Sequence, residues 1–279
     1  MLRSYDRKLD QRLFSDIDLR YVRGFDMFLQ KRGCCGNTRK FYFKALRAIL
    51  NRANAEGVGS VATYPFGRGG FEVSKLEEAT AKRYLPAAEL SKLKSATASN
   101  PQCEYARKLF LFSYYCYGIS FIDMAMLTAA HIKQMEDGDY IVYKRQKIKR
   151  QKGVKPISIK ITPAIRQLIG SLQAASPTVD DFLLPIVTRS GYTGERLYMH
   201  IRARYSKYQK YLHLLAEELG IDFHLTSYVS RHTAAMTLQR NNIPREVISQ
   251  MLGHTDLETT NIYLDSFDNG VINEAAKVL

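Results

Sequence analysis

No apolar run in this chain approaches the ~20 residues that a bilayer-spanning helix needs, and the N-terminal MLRSYDRKLDQR lacks the hydrophobic stretch of a signal peptide. Neither membrane insertion nor secretion is expected; the expected location is the cytoplasm. Cysteine is scarce. Cys34, Cys35, Cys103 and Cys116 form no CxxC pair, and the adjacent Cys34 and Cys35 cannot easily bridge each other. They read as reduced thiols rather than a disulfide framework. The histidines at 200, 213, 224, 232 and 254 show no HExxH spacing and no Cys/His ligand pattern. A metalloenzyme is therefore not indicated, and no metal or cofactor is expected. Repeats and low-complexity tracts are missing too. So, from Ile141 to Val179, is every acidic residue.

That last gap points to what is present. The 279 residues carry 41 Lys and Arg against 27 Asp and Glu, a formal net charge of +14, which favours a polyanionic partner, nucleic acid before an anionic membrane surface. Lys144, Arg145, Lys147, Lys149, Arg150, Lys152 and Lys155 crowd the acid-free stretch. A second basic run, RLYMHIRARYSKYQK (196–210), interleaves Arg202 and Arg204 with tyrosines. Phosphates attract such cations, and phenols can donate to phosphate oxygens. Hydrophobic residues at 46% and charged ones at 24% give the balance of a globular protein, long enough for two cores.

Residues 16–56 read as helical. In NTRKFYFKALRAILNRA, Asn37 or Thr38 can cap, and Tyr42, Leu46, Ile49, Leu50 and Ala53 share one face. Lys40, Lys44 and Arg47 form a basic stripe on another, either a solvated face or, with Arg39, a contact to DNA. GVGSVATYPFGRGGFEVSK, with five glycines, reads as a linker. A new helical series starts at YLPAAELSKLKSA and runs on through YARKLFLFSYYCYGISFIDMAMLTAAHI. EDGDYIVYKRQKIKRQKGVKPISIKITP combines an Asp-Gly turn with alternating runs, which predicts a small hairpin or meander with a cationic exposed side. Helices resume at Thr162-Pro163. Three more are expected near the end: LTSYVSRHTAAMTLQRNN, IPREVISQMLG between Pro244 and Gly253, and TDLETTNIYLDSF, opened by a capping box of Thr255 and Glu258. His254 after Gly253 could be no more than a helix stop, and Tyr263 one core aromatic among 18 tyrosines.

Taken together, Arg231-His232-Thr233, Leu252-Gly253-His254 and Tyr263 nine residues beyond His254 resemble the tyrosine recombinase (phage integrase) family. Asn37, Thr38, Tyr42, Leu46 and Arg47 match a pattern of its helical core-binding domain, and YPF (64–66), KRYLPAAEL (82–90) and GISFIDMA (118–125) fall where its linker and catalytic domain would put them. The resemblance is nearest to compact integrases and invertases of bacterial mobile elements. It implies a mainly α fold with a small β-sheet: a helical core-binding domain at 1–60, a linker at 61–82 and a catalytic domain with a C-terminal tail helix at 83–279. It also implies site-specific cleavage and rejoining of double-stranded DNA through a 3′-phosphotyrosyl intermediate, for integration, excision or inversion. A covalent intermediate conserves the phosphodiester, so neither ATP nor a metal is called for.

By the same resemblance Tyr263 is the nucleophile, Arg231 and His254 bind the scissile phosphate, and Lys147 protonates the departing 5′-oxygen, with Lys149 a competitor. Arg39, Lys40, Lys44, Arg47, Arg145, Lys149, Arg150, Lys152, Arg202 and Arg204 would contact DNA. A homo-tetramer on two DNA sites is implied, a monomer being the alternative in free solution, working at the nucleoid. Two positions depart from the family pattern. Tyr117 stands where its first arginine is expected, and Tyr228 where its first histidine is expected. A phenol at 228 can still donate a hydrogen bond, but one at 117 does not replace a guanidinium. Lys149, Arg150 and Arg189 are the candidates to compensate. A relative with impaired chemistry, acting as an architectural or regulatory DNA-binding factor, is the rival reading.

Overall fold

The computed structural model describes residues 1–78 and 84–253. The expected helix at 255–267, its capping box, the tail, His254 and Tyr263 lie outside the described residues. The chain divides into two compact units, Met1–Ala81 and Lys82–Leu279.

In the first unit a short helix α1 (Leu2–Tyr5) precedes α2 (Leu19–Lys31) and α3 (Gly36–Ala55). The Asp18 carboxylate caps α2 by accepting from the Tyr21 N–H at 2.8 Å. Val22, Phe25 and Leu29 of α2 meet Phe43, Leu46 and Leu50 of α3 in one core. Leu46, Leu50 and Ala53 of α3 are buried as expected, but Phe43 rather than Tyr42 completes the core face, being fully buried while Tyr42 is half-buried and Ile49 exposed. The cause lies downstream. Phe71 packs its ring 4.4 Å from that of Phe43, and Phe66 and Val73 fill the same core, so an aromatic cluster selects the face. Hence the glycine-rich stretch is more than a tether, and through residue 78 it packs on this unit. The Asn37 side chain strengthens the attachment by donating to the Glu78 carbonyl at 2.7 Å and accepting from its N–H. Asn37 and Thr38 therefore lie inside α3, whose N-cap is Cys35.

The second unit contains α4 (Ala87–Ser95), α5 (Pro101–Tyr115), α6 (Phe121–Ala125), strands β1 (Ile132–Met135), β2 (Gly138–Tyr143) and β3 (Ile157–Lys160), then α7 (Pro163–Ala175), α8 (Gly194–Glu218), α9 (Val229–Arg240) and α10 (Arg245–Leu252). Helix α5 is central, buried along Cys103, Ala106, Leu109, Phe110 and Phe112, and it packs against α7, α8 and α9. The strands form an antiparallel meander in the order β1-β2-β3, with Ile141 opposite Ile159 and Tyr143 opposite Ile157. These four side chains are buried, so the strands face the helical core. The cations do not alternate along the strands as expected. They gather in the 144–156 connection between β2 and β3, where all but the half-buried Arg145 are exposed.

Local punctuation holds where it was strong. Thr162 caps α7 ahead of Pro163, and α10 runs from Pro244 to a left-handed Gly253 at φ +63°. Helix α9 begins at Val229, later than the apolar pattern suggests, because Ser227 and Tyr228 form the turn that enters it. Among the described residues no helix is long and apolar enough to cross a membrane.

Candidate active site

Helix α5 ends in a tight left-handed turn, with Tyr117 at φ +57° and Gly118 at φ +72°. The Gly118 N–H donates back to the Ser113 carbonyl at 2.7 Å. This turn lies against the start of α9: a Cβ on Gly118 would sit 2.5 Å from the Arg231 Cβ and closer still to its Cα. Arg231 is almost fully buried. Its Nη1 donates to the Gly118 carbonyl at 3.0 Å and its Nη2 to the Leu252 carbonyl. One guanidinium thus ties the approach to α6, the start of α9 and the end of α10. Beside it Ser113 and Ser230, both buried, share a hydroxyl hydrogen bond of 2.7 Å, and Ser113 also donates to the Ile119 carbonyl at 2.8 Å. Ser113→Ala removes both contacts and leaves that carbonyl without this donor. It is expected to lower stability by about 1–2 kcal/mol, read as a shift of the urea midpoint at unchanged slope.

The cationic connection is anchored at its base. The buried Asp123 carboxylate on α6 accepts from the Gln146 N–H at 2.7 Å and from the Ser120 hydroxyl at 2.6 Å. Arg145, the preceding residue, donates from Nη1 to the Gly253 carbonyl at 3.3 Å. Tyr143 lies close by. Burial pushes its phenol far above the usual tyrosine range and the Asp123 charge adds to this, while Arg231 and Arg145 pull the other way.

These elements enclose a cleft of about 370 Å³. Gly118 to Ile122 form one wall, Tyr198, Ile201, Arg202 and Tyr205 of α8 a second, and Ser227, Tyr228, Arg231 and Arg145 complete the lining. Of the residues expected from the sequence, Arg231, Tyr228, Arg145 and Arg202 are brought together here. Tyr117 does not join them. It is half-buried behind the turn, packed on the core, where burial raises its pKa and Cys116 and Tyr140 add to the effect. Lys147, Lys149, Arg150 and Lys152 are exposed on the connection. Arg204 is committed elsewhere, its Nε donating to the Ile186 carbonyl at 3.1 Å. In the first unit, Arg39 forms a little-exposed ion pair with Asp26 at 2.9 Å and Lys40 pairs with Glu77 at 2.7 Å, while Lys44 and Arg47 are exposed. Ser120 and Asp123 were legible in the sequence as part of GISFIDMA, but without a role at the site. Their spacing, a hydroxyl followed three residues later by a carboxylate, is the helix-start signal that could have drawn attention to them.

A family model described as the phage integrase family matches residues 83–269, two thirds of the chain. The chain belongs to the phage integrase family. The SAM-like domain of phage integrases matches residues 1–72, across the first unit. Several solved phage integrase-type structures share the fold. The Tn1549 transposon integrase, in complex with transposon right-end DNA, aligns with a TM-score of 0.66 at 12% identity, over 98% of this chain and 90% of that one. The XerH site-specific recombinase bound to palindromic difH substrate aligns at 0.64 and 19%, over 94% and 72%. A lambda integrase dimer bound to a COC′ core site aligns at 0.61 and 16%, over 91% and 82%. No curated protein sequence matches the chain significantly. As a phage integrase family member, the chain is a site-specific DNA recombinase.

Proposed function

We propose that the cleft in the second unit binds the scissile phosphate of double-stranded DNA and that Tyr263 attacks it. The tyrosine Oη–P bond forms as the P–O5′ bond breaks, the phenolic proton leaves to water, and the 5′-oxygen takes a proton from Lys147. A 3′-phosphotyrosyl bond and a free 5′-hydroxyl result, and reversal on a new 5′-end rejoins the strand. Arg231 and the Tyr228 hydroxyl serve the non-bridging oxygens, with His254 as a further donor. One observation carries this reading: arginines of the cleft bind the carbonyls of Leu252 and Gly253, the two residues immediately before His254. The first unit acts as the core-binding domain, with Lys44 and Arg47 facing phosphates, and the catalytic domain begins after the linker near residue 82. The working assembly is a homo-tetramer on two DNA sites, at the nucleoid in the cytoplasm.

The test is covalent capture. Chromatin from cells expressing the chain is stripped under denaturing conditions, and the DNA still attached is sequenced while the attached peptide is mapped. The expected outcome is a recurrent DNA site linked through its 3′-phosphate to Tyr263. Linkage at another residue would move the nucleophile. DNA bound natively but never covalently would leave an architectural factor in place of an enzyme.

A further inference from the structure

We propose that Arg202 is a catalytic residue of this protein, binding the scissile phosphate in the role left open at position 117. The proposal rests on the recombinase reading of the cleft. A phosphodiester under attack carries growing charge on its non-bridging oxygens, and cations aimed at them are the main means of lowering that barrier. The turn at 117–118 supplies none. Tyr117 packs on the core and does not line the cleft, and the Ser120 hydroxyl, which does line it, is spent on Asp123. The compensating candidates read from sequence do not supply it either, since none of Lys149, Arg150 and Arg189 lines the cleft.

Three arginines do line it, and their engagement separates them. Arg231 is bonded to the carbonyls of Gly118 and Leu252, and Arg145 to that of Gly253. Both act as struts of the frame. The Arg202 side chain has no hydrogen bond or ion pair among the described residues, the Ser206 hydroxyl donating only to its carbonyl, so its guanidinium fork is available to a ligand. Its position is fixed all the same. Tyr198, Ile201, Arg202 and Tyr205 fall at helical spacing on the cleft face of α8. One turn past Arg202, the Tyr205 ring packs 5.3 Å from that of Phe121, and its hydroxyl hydrogen-bonds Ser227 at 3.1 Å. Helix α8 is thereby pinned to the starts of both α6 and α9, and Arg202 faces the wall from which an arginine is missing. Ile119, Phe121 and Ile201 around it give the cleft apolar sides, where a charge pair is stronger than in open water.

The experiment uses the full chain and the DNA recovered by covalent capture, nicked beside the cleavage position so that the adduct accumulates. Single-turnover adduct rates and DNA affinities are measured for wild type, Arg202→Ala, Arg202→Lys, Tyr263→Phe and, as control, Lys133→Ala at an exposed β1 position outside both basic runs. Arg202→Ala is expected to slow adduct formation on the order of 10²–10³-fold with affinity changed far less, Lys to recover part of the loss, and Lys133→Ala to match wild type. A neutral methylphosphonate at the cleavage position then serves as a second readout. It removes the charge Arg202 would neutralise, so the variant should come within ~10-fold of wild type, as the loss of one transition-state donor no longer counts. Wild-type rates in Arg202→Ala, or a loss that tracks DNA affinity and persists on the methylphosphonate, overturn the proposal and leave Arg202 a backbone contact. Failure of wild type itself to form the Tyr263 adduct overturns the function reading, and this proposal with it.

Discussion

Arg231→Ala is expected to lower unfolding stability by about 3–5 kcal/mol and, at temperatures where the variant stays folded, to abolish adduct formation while DNA binding persists. The stability loss has a definite source. The side chain is buried and gives hydrogen bonds to the carbonyls of Gly118 and Leu252, which come from two otherwise separate segments. Each acceptor left buried without a donor costs about 1–3 kcal/mol, and the emptied volume adds to this. Arg231→Lys sharpens the test, because an ammonium keeps the charge but cannot span both carbonyls with a planar fork. Lysine should recover little of the stability. Urea denaturation of the three proteins, with adduct assays well below each midpoint, reads both effects. If lysine restored stability fully, charge rather than bridging geometry would be what position 231 contributes to the frame.

The parts of this architecture legible in the sequence are those set by local chemistry. Thr162-Pro163 starts a helix, and Pro244 and Gly253 bound another, because caps, proline's fixed φ and glycine's access to left-handed backbone act within a few residues. What depends on partners brought from elsewhere was not legible. Tyr42 and Phe43 both fit an amphipathic helix, and only Phe66, Phe71 and Val73 decide that Phe43 faces inward. Charge was readable in sign but not in use. Arg39, Arg145, Arg202 and Arg204 look alike as basic residues. In the fold the first pairs with Asp26, the second holds the Gly253 turn, the third lines the cleft and the fourth bonds Ile186. The family resemblance fixed attention on position 117, yet the backbone there is left-handed and its side chain packs on the core without lining the cleft. Side-chain direction at a turn depends on φ and ψ, which spacing alone does not reveal.

Gly118→Ala is expected to lower stability by about 2–5 kcal/mol, and Gly191→Ala provides the measure. The two glycines have nearly the same backbone, φ +72° and φ +73°. Both alanines therefore incur the left-handed penalty, about 1–2 kcal/mol. They differ in what the new methyl meets. At Gly191 there is nothing within 4 Å, whereas at Gly118 the methyl runs into Cα, Cβ and Cγ of Arg231. Those atoms belong to a helix start buried beside Ser230, so they cannot swing aside as a flexible chain end would, and overpacking of this kind adds about 1–3 kcal/mol. The difference between the two midpoints, converted with a common slope, isolates the steric part. Equal losses would mean that the turn and α9 can separate without cost, and that Arg231 is not positioned by this approach. A larger loss at Gly118, joined by slower adduct formation, would show that the 117–118 turn serves the site through its backbone. On that result the turn presses Arg231 into place from a position whose own side chain does not line the cleft.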